Sequence, residues 1–146
     1  PELGLLKELI GKYNLQDDVE LLGRVFQEDL IAQLNQAHIF ALPCITAKNG
    51  DMDGVPVVLM ESMSMGIPCI STFVSGIPEL IENGEGIVVE EKDITAFADG
   101  LQKLLEDKEL RLLLGKAGQS KVQADYNIKD NVAKLCQLFE RSLGNE

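Results

Sequence analysis

The chain has 146 residues, 45% of them hydrophobic and only 5% aromatic, with a formal net charge of -11. That length allows one globular domain with an aliphatic core, and the negative charge argues against nucleic acid or an anionic membrane surface as partners. No run approaches the ~20 apolar residues of a membrane span, and the opening Pro1-Glu2-Leu3-Gly4 lacks the basic and apolar regions of a signal peptide, so the cytoplasm is the expected compartment.

Leu3, Leu6, Leu9 and Ile10 make an apolar stripe at helical spacing, followed by a turn at 15–18 and a short strand over 19–22. Residues 27–36 read as a helix with Leu30, Ile31 and Leu34 facing inward. The unbroken apolar run 39–42 reads as a buried strand. A polar stretch then leads to Pro56, suited to a first helical turn, and apolar residues continue to the stop signal Gly66-Ile67-Pro68. The spacing predicts a helix from near Pro56 to near Gly66, with Met60, Met63 and Met65 filling the core.

Strand 69–71, a short helix 77–82 behind Pro78 and a last strand 87–89 come next. Asp93 has the position of an N-cap for a helix whose face is Ile94, Phe97, Ala98, Leu101, Leu104 and Leu105. Gly100 inside it costs about 1 kcal/mol. Asp107 caps a helix bearing Leu110, Leu113, Leu114 and Ala117. Asn127 caps the last one, with Val132, Leu135, Cys136 and Phe139 inward. The alternation of strands and helices is the signature of a parallel sheet covered by helices. Cys44, Cys69 and Cys136 are odd in number and lack zinc-site spacing, so reduced thiols are expected.

The loop-to-helix junction near Pro56 carries the chemistry. Asp53 and Glu61 flank it, eight positions apart. A helix start exposes amides with no intrahelical acceptor and the positive end of the macrodipole, so the N–H groups from Val55 to Leu59 suit phosphate oxygens. Val57 is a better donor than Pro56, which has no N–H. Glu61, about one turn into the helix, suits a vicinal diol such as a ribose, and Asp53 lies on the loop side, where a sugar would hang from the phosphates.

Around that junction runs an ordered series. Ala37-His38-Ile39-Phe40-Ala41-Leu42-Pro43 comes first, then the carboxylate-x7-carboxylate spacing of Asp53 and Glu61, then Ile67-Pro68-Cys69-Ile70-Ser71-Thr72. Ser75-Gly76-Ile77-Pro78-Glu79-Leu80-Ile81 and Asn83-Gly84 complete it. Over nearly the whole chain the series resembles the C-terminal, donor-binding domain of a GT-B glycosyltransferase of the retaining family 4, or group 1. The resemblance implies an α/β fold: a Rossmann-like parallel sheet covered by helices, the partial C-terminal half of a GT-B fold lacking its first two strands.

It also implies roles. Asp53 is the catalytic carboxylate, holding sugar hydroxyls. Gly54, Val55, Val57 and Val58 meet the diphosphate, and Glu61 the ribose. Ser75, Gly76 and Glu79 lie on the next strand-to-helix loop and line the nucleoside or phosphate side. The donor substrate is a nucleotide-diphosphate sugar, with no cofactor and no metal. The implied function is the donor-binding part of an enzyme moving a sugar to an acceptor in polysaccharide or glycoconjugate synthesis. The Asp-Gly-Val-Pro spelling looks like enzymes of bacterial surface polysaccharide. The implied partners are the nucleotide sugar and an N-terminal acceptor domain, with no nucleic acid and no direct membrane contact by this domain, the full-length enzyme being peripheral to the inner membrane face.

Departures from the family pattern are specific. Its first acidic residue is usually Glu, and Asp53 is one methylene, roughly 1.5 Å, shorter. The turn Asn83-Gly84-Glu85-Gly86 is a residue shorter than usual. The Arg and Lys that neutralise the diphosphate belong to a preceding segment absent here, so the expectation is a fragment, inactive alone. Loss of the central strands predicts that 19–22 and 39–42 pair directly, that the chain dimerises along that edge, or that it dissolves poorly.

Plainer readings stand beside these. Asp51-Met52-Asp53 matches the short Asp-x-Asp manganese pattern of another glycosyltransferase fold, but acidic loops are often only solvated. His38 reads as a packed or edge residue and Lys48 as solvated. A nucleotide-binding oxidoreductase would need Gly-x-Gly-x-x-Gly, which does not occur. An inactive fragment acting as a scaffold or interaction domain is the alternative function.

Overall fold

Three short parallel strands organise the larger part of the chain. The computed structural model describes residues 2–52 and 54–143, in two compact units, residues 1–32 and 33–146.

The first unit carries helix α1, Leu3–Lys12. Its expected stripe is largely open, with Leu3, Leu6 and Leu9 all exposed and no residue of the helix buried. Asn14 adopts a left-handed φ of 55° as the chain turns. Residues 19–22, expected as a strand, are irregular, and Val19 instead donates its amide to Leu15 O within the turn. A run of four residues gains little from extension unless a neighbouring strand supplies its ladder. Helix α2, Gln27–Leu34, straddles the join between the units and ends two residues before the expected 36. Leu34 is buried while Ile31 is exposed.

In the second unit the strands are β1, Phe40–Leu42, β2, Cys69–Thr72, and β3, Ile87–Val89. Their order is β1-β2-β3, all parallel, with Phe40 opposite Cys69 and Ile70 opposite Ile87. The helices are α3, Val57–Ser64, α4, Ile77–Ile81, α5, Ile94–Glu106, α6, Lys108–Asp125, and α7, Ile128–Leu143.

Successive strand residues point to opposite faces, and β2 shows what that builds. Cys69 joins Leu59, Met63, Val74, Ile77, Leu80 and Ile81 in the core beneath α3 and α4. Its neighbour Ile70 joins Leu104 and Leu114, beneath α5 and α6. All four residues of β2 are buried, including two hydroxyls. Ser71 Oγ donates to Leu42 O at 2.6 Å and Thr72 Oγ1 to Cys44 O at 2.5 Å, so neither polar group is left unpaired. Strand β1 is only half-buried, with Ala41 exposed, because among the described residues β2 alone pairs with it. The fully buried strand expected there is corrected to an edge.

Close helix approach depends on small residues. A Cβ on Gly100 would lie 2.6 Å from Ile70 Cδ1. The glycine expected only to weaken α5 thus lies where the helix meets the sheet, and a side chain there would make Ile70 and Ile87 shift. On α6, a Cβ at Gly115 would collide with Gly66 O, and one at Gly118 would meet Glu85 O at 3.0 Å. Gly66, whose φ is 75°, ends α3.

Other inward faces are narrower than expected. Met63 is fully buried, but Met60 and Met65 are half-buried, while Ile94, Leu105 and Leu113 are exposed. The expected inner face of α7 is wholly exposed: Val132, Leu135, Cys136 and Phe139 face no cover among the described residues. No described helix is long and apolar enough to cross a membrane.

Candidate functional site

Parallel strands deliver their C-terminal ends to one edge of the sheet, and three loops leave it there: 43–56 into α3, 73–76 into α4 and 90–93 into α5. Residues predicted for the site come from the first two of these loops and the helices that follow.

Pro56 is the N-cap of α3, with extended backbone at φ -63° and ψ 125° and no side-chain cap. Its fixed φ and missing N–H fit it to that place just before the first helical turn. The amides of Leu59 and Met60 both turn back to Pro56 O, at 3.1 and 3.4 Å. Among the described residues nothing accepts from the amides of Val57 and Val58. Two donors and the positive helix end therefore face the same edge without a partner among the described residues.

Gly54 is exposed and Val55 half-buried just before that cap. A Cβ placed on Gly76 would lie 2.6 Å from Val55 Cγ2 and 3.8 Å from Gly54 O. Gly54, Val55 and Gly76, chosen separately from the sequence, thus form one junction at the start of α3. Ser75 beside them has a left-handed φ of 49°, uncommon for a residue with a side chain, and is exposed. Glu61 lies half-buried in the second turn of α3, and Glu79 is exposed in the first turn of α4. Asp53 lies outside the described residues.

One element of this edge was not visible in the sequence. Thr46 N donates to Glu91 Oε2 at 2.8 Å, and Lys92 Nζ meets Glu91 Oε1 at 2.6 Å. The Lys92 ammonium and then the Thr46 donors hold the Glu91 carboxyl down, from its ordinary 4.5 to about 2. A depressed carboxylate pKa means that this tether stabilises the fold above the ordinary value and is lost as pH falls from there through about 2. Thr46 and Glu91 are 45 positions apart, too far for any local pattern to connect them.

Two concave surfaces are lined by other residues. An apolar groove of about 450 Å³ runs between Pro43, Ile45, Thr72 and the Phe97–Leu101 side of α5. A second, of about 280 Å³, opens at the opposite edge of the sheet, near His38, Gly66 and Arg111. None of the described predicted site residues lines either one. His38 and Lys48 are both exposed. Burial pushes the Cys69 thiol up to about 12, which makes it a core residue and not a nucleophile.

Comparison with known proteins places this geometry in a family. The sequence profile described as "Glycosyl transferases group 1" matches residues 1–121. The amylovoran biosynthesis glycosyltransferase AmsK of Erwinia amylovora is 39% identical over 137 residues, 93% of this chain and 34% of AmsK. In three dimensions the chain is similar to sucrose-phosphate synthase from Thermosynechococcus elongatus, with TM-score 0.76 and 26% identity over 97% of this chain and 34% of that one. It has the same fold as Anabaena HepE, solved in complex with UDP, with TM-score 0.74 and 21% identity over 99% of this chain and 38% of HepE. The chain thus spans about a third of the length of the relatives it matches. With a parallel sheet between two helical layers, a helix start open toward the C-terminal sheet edge and a profile match over most of its length, the chain belongs to the group 1 glycosyltransferases.

Proposed function

We propose that the chain forms part of the donor site of a nucleotide-sugar-dependent glycosyltransferase of polysaccharide or glycoconjugate synthesis. The observation carrying this is the start of α3, where the Val57 and Val58 amides face no acceptor among the described residues, next to the junction of Gly54, Val55 and Gly76. Family membership and the UDP bound by HepE support the same reading.

Transfer from a nucleotide donor builds negative charge on the departing diphosphate while the sugar becomes oxocarbenium-like. A protein gains most by stabilising that leaving charge and fixing the sugar. The Val57 and Val58 amides and the helix dipole serve the diphosphate without a basic side chain. Glu61, on the same helix, takes the ribose hydroxyls, and Asp53 those of the sugar. The exposed Ser75 and the Gly76 backbone border the nucleoside or phosphate side, with Glu79 beyond them. An acceptor domain, carried by other residues of the whole enzyme, supplies the second substrate.

Calorimetric titration with UDP and GDP tests the reading. The expected result is saturable binding of one of them, weakened at least about tenfold by Glu61→Ala through loss of a charged hydrogen-bond acceptor. No saturable response to either nucleotide at millimolar concentration would instead favour a scaffold.

A further inference from the structure

We propose that Glu91 is a positioning residue for the donor site, holding the 47–51 turn of the β1–α3 loop beside the sugar half of a nucleotide sugar. The inference rests on the donor-site reading above and adds to it a residue from a third loop of the same sheet edge.

The hydrogen bonds of the loop show where it is held. Cys44 N returns to Leu42 O at 3.0 Å, and Cys44 O receives Thr72 Oγ1 at 2.5 Å, so the loop leaves β1 anchored to the sheet. Thr46 N is next, bound to Glu91 Oε2 at 2.8 Å. Beyond that point the loop bonds only to itself among the described residues. Ala47 N donates to Asp51 O at 2.8 Å, Gly50 N to Ala47 O at 2.9 Å and Asp51 N to Asn49 Oδ1 at 3.1 Å. Residues 47–51 are therefore a closed turn whose hydrogen-bonded attachment to the scaffold, among the described residues, is the bond at Thr46. Val55, at the other end of the loop, packs against Gly76.

Glu91 is itself held. Its other oxygen takes Lys92 Nζ at 2.6 Å, and Lys92 adopts a left-handed φ of 66° that sets the course of the corner after β3. A carboxylate accepting from a backbone amide makes a charge-assisted bond, stronger than a neutral one. Removing it frees the 47–51 turn to pivot, while α3 stays anchored by Leu59 and Met63, both fully buried. The amides at the start of α3 then keep their place, and the 47–51 turn loses its own. Loss of Glu91 should consequently act on the sugar half of a donor more than on its diphosphate half.

The test compares UDP and GDP with UDP-glucose and GDP-mannose on the whole chain, unsubstituted and as Glu91→Ala and Glu91→Gln, with amide hydrogen exchange at Thr46 read in parallel. Glu91→Ala is expected to lower the preference for sugar nucleotide over bare nucleotide by about tenfold, a misplacement effect, with bare nucleotide affinity held within about twofold. Thr46 exchange should accelerate in that variant. Glu91→Gln, whose amide oxygen still accepts from Thr46 N, should restore both. Bare and sugar nucleotide weakened equally, or selectivity unchanged while Thr46 exchange accelerates, would overturn the positioning role alone. An unsubstituted chain that binds no nucleotide would overturn the donor-site reading, and this role with it.

Discussion

Gly76 occupies a position where no side chain fits without displacing a neighbour. A methyl group there would stand 2.6 Å from Val55 Cγ2, and a valine side chain has little freedom to move aside. Gly76→Ala is therefore expected to destabilise the fold by about 1–3 kcal/mol, the usual cost of overpacking. Adding Val55→Ala should recover much of that loss, and urea unfolding of the two single variants and the double one measures the coupling. Independent, additive losses would show that the two loops do not meet as described. Both residues were legible in the sequence as parts of separate motifs. Their contact was not, since local patterns carry no information about which loops converge at a sheet edge. The Thr46–Glu91 bond escaped for the same reason, whereas Glu61 was visible because helix spacing ties it to Pro56.

Among the elements, those governed by local chemistry were the most legible. The caps expected at Asp93, Asp107 and Asn127 are formed, each side chain accepting from an amide two or three residues on, at 2.9 Å. Strands β2 and β3 and helix α4 also lie where apolar runs and Pro78 put them. Failures came where periodicity shows an apolar face but not its cover, as in α7 and at Leu113, and where a short strand needs a neighbour, as at 19–22. The glycines of α6 show the same limit, because helix propensity counts them only as weak points. Gly115 sits against Gly66 O, so Gly115→Ala should lower stability by about 1–3 kcal/mol, against the gain of up to about 1 kcal/mol that propensity alone predicts. Denaturant midpoints decide the sign, and a stabilised variant would contradict the close approach of α6 to the end of α3.

For the molecule as a whole, the fold and the proposed chemistry depend on one another through the sheet edge. Three parallel strands send three loops to one side, α3 offers two amides there, and the family match covers residues 1–121. The fold class was legible because the alternation of strands and helices survives even in a chain spanning a third of its relatives' length. The edge position of β1 was foreseeable only as lost pairing. The most direct test of the central claim is a two-dimensional amide NMR titration of the whole chain with UDP and GDP. It should show saturable shifts centred on Gly54, Val55, Val57, Val58 and Gly76. Shifts confined to the apolar groove around Phe97 and Leu101, or none up to millimolar nucleotide, would contradict the placement of a diphosphate at the start of α3.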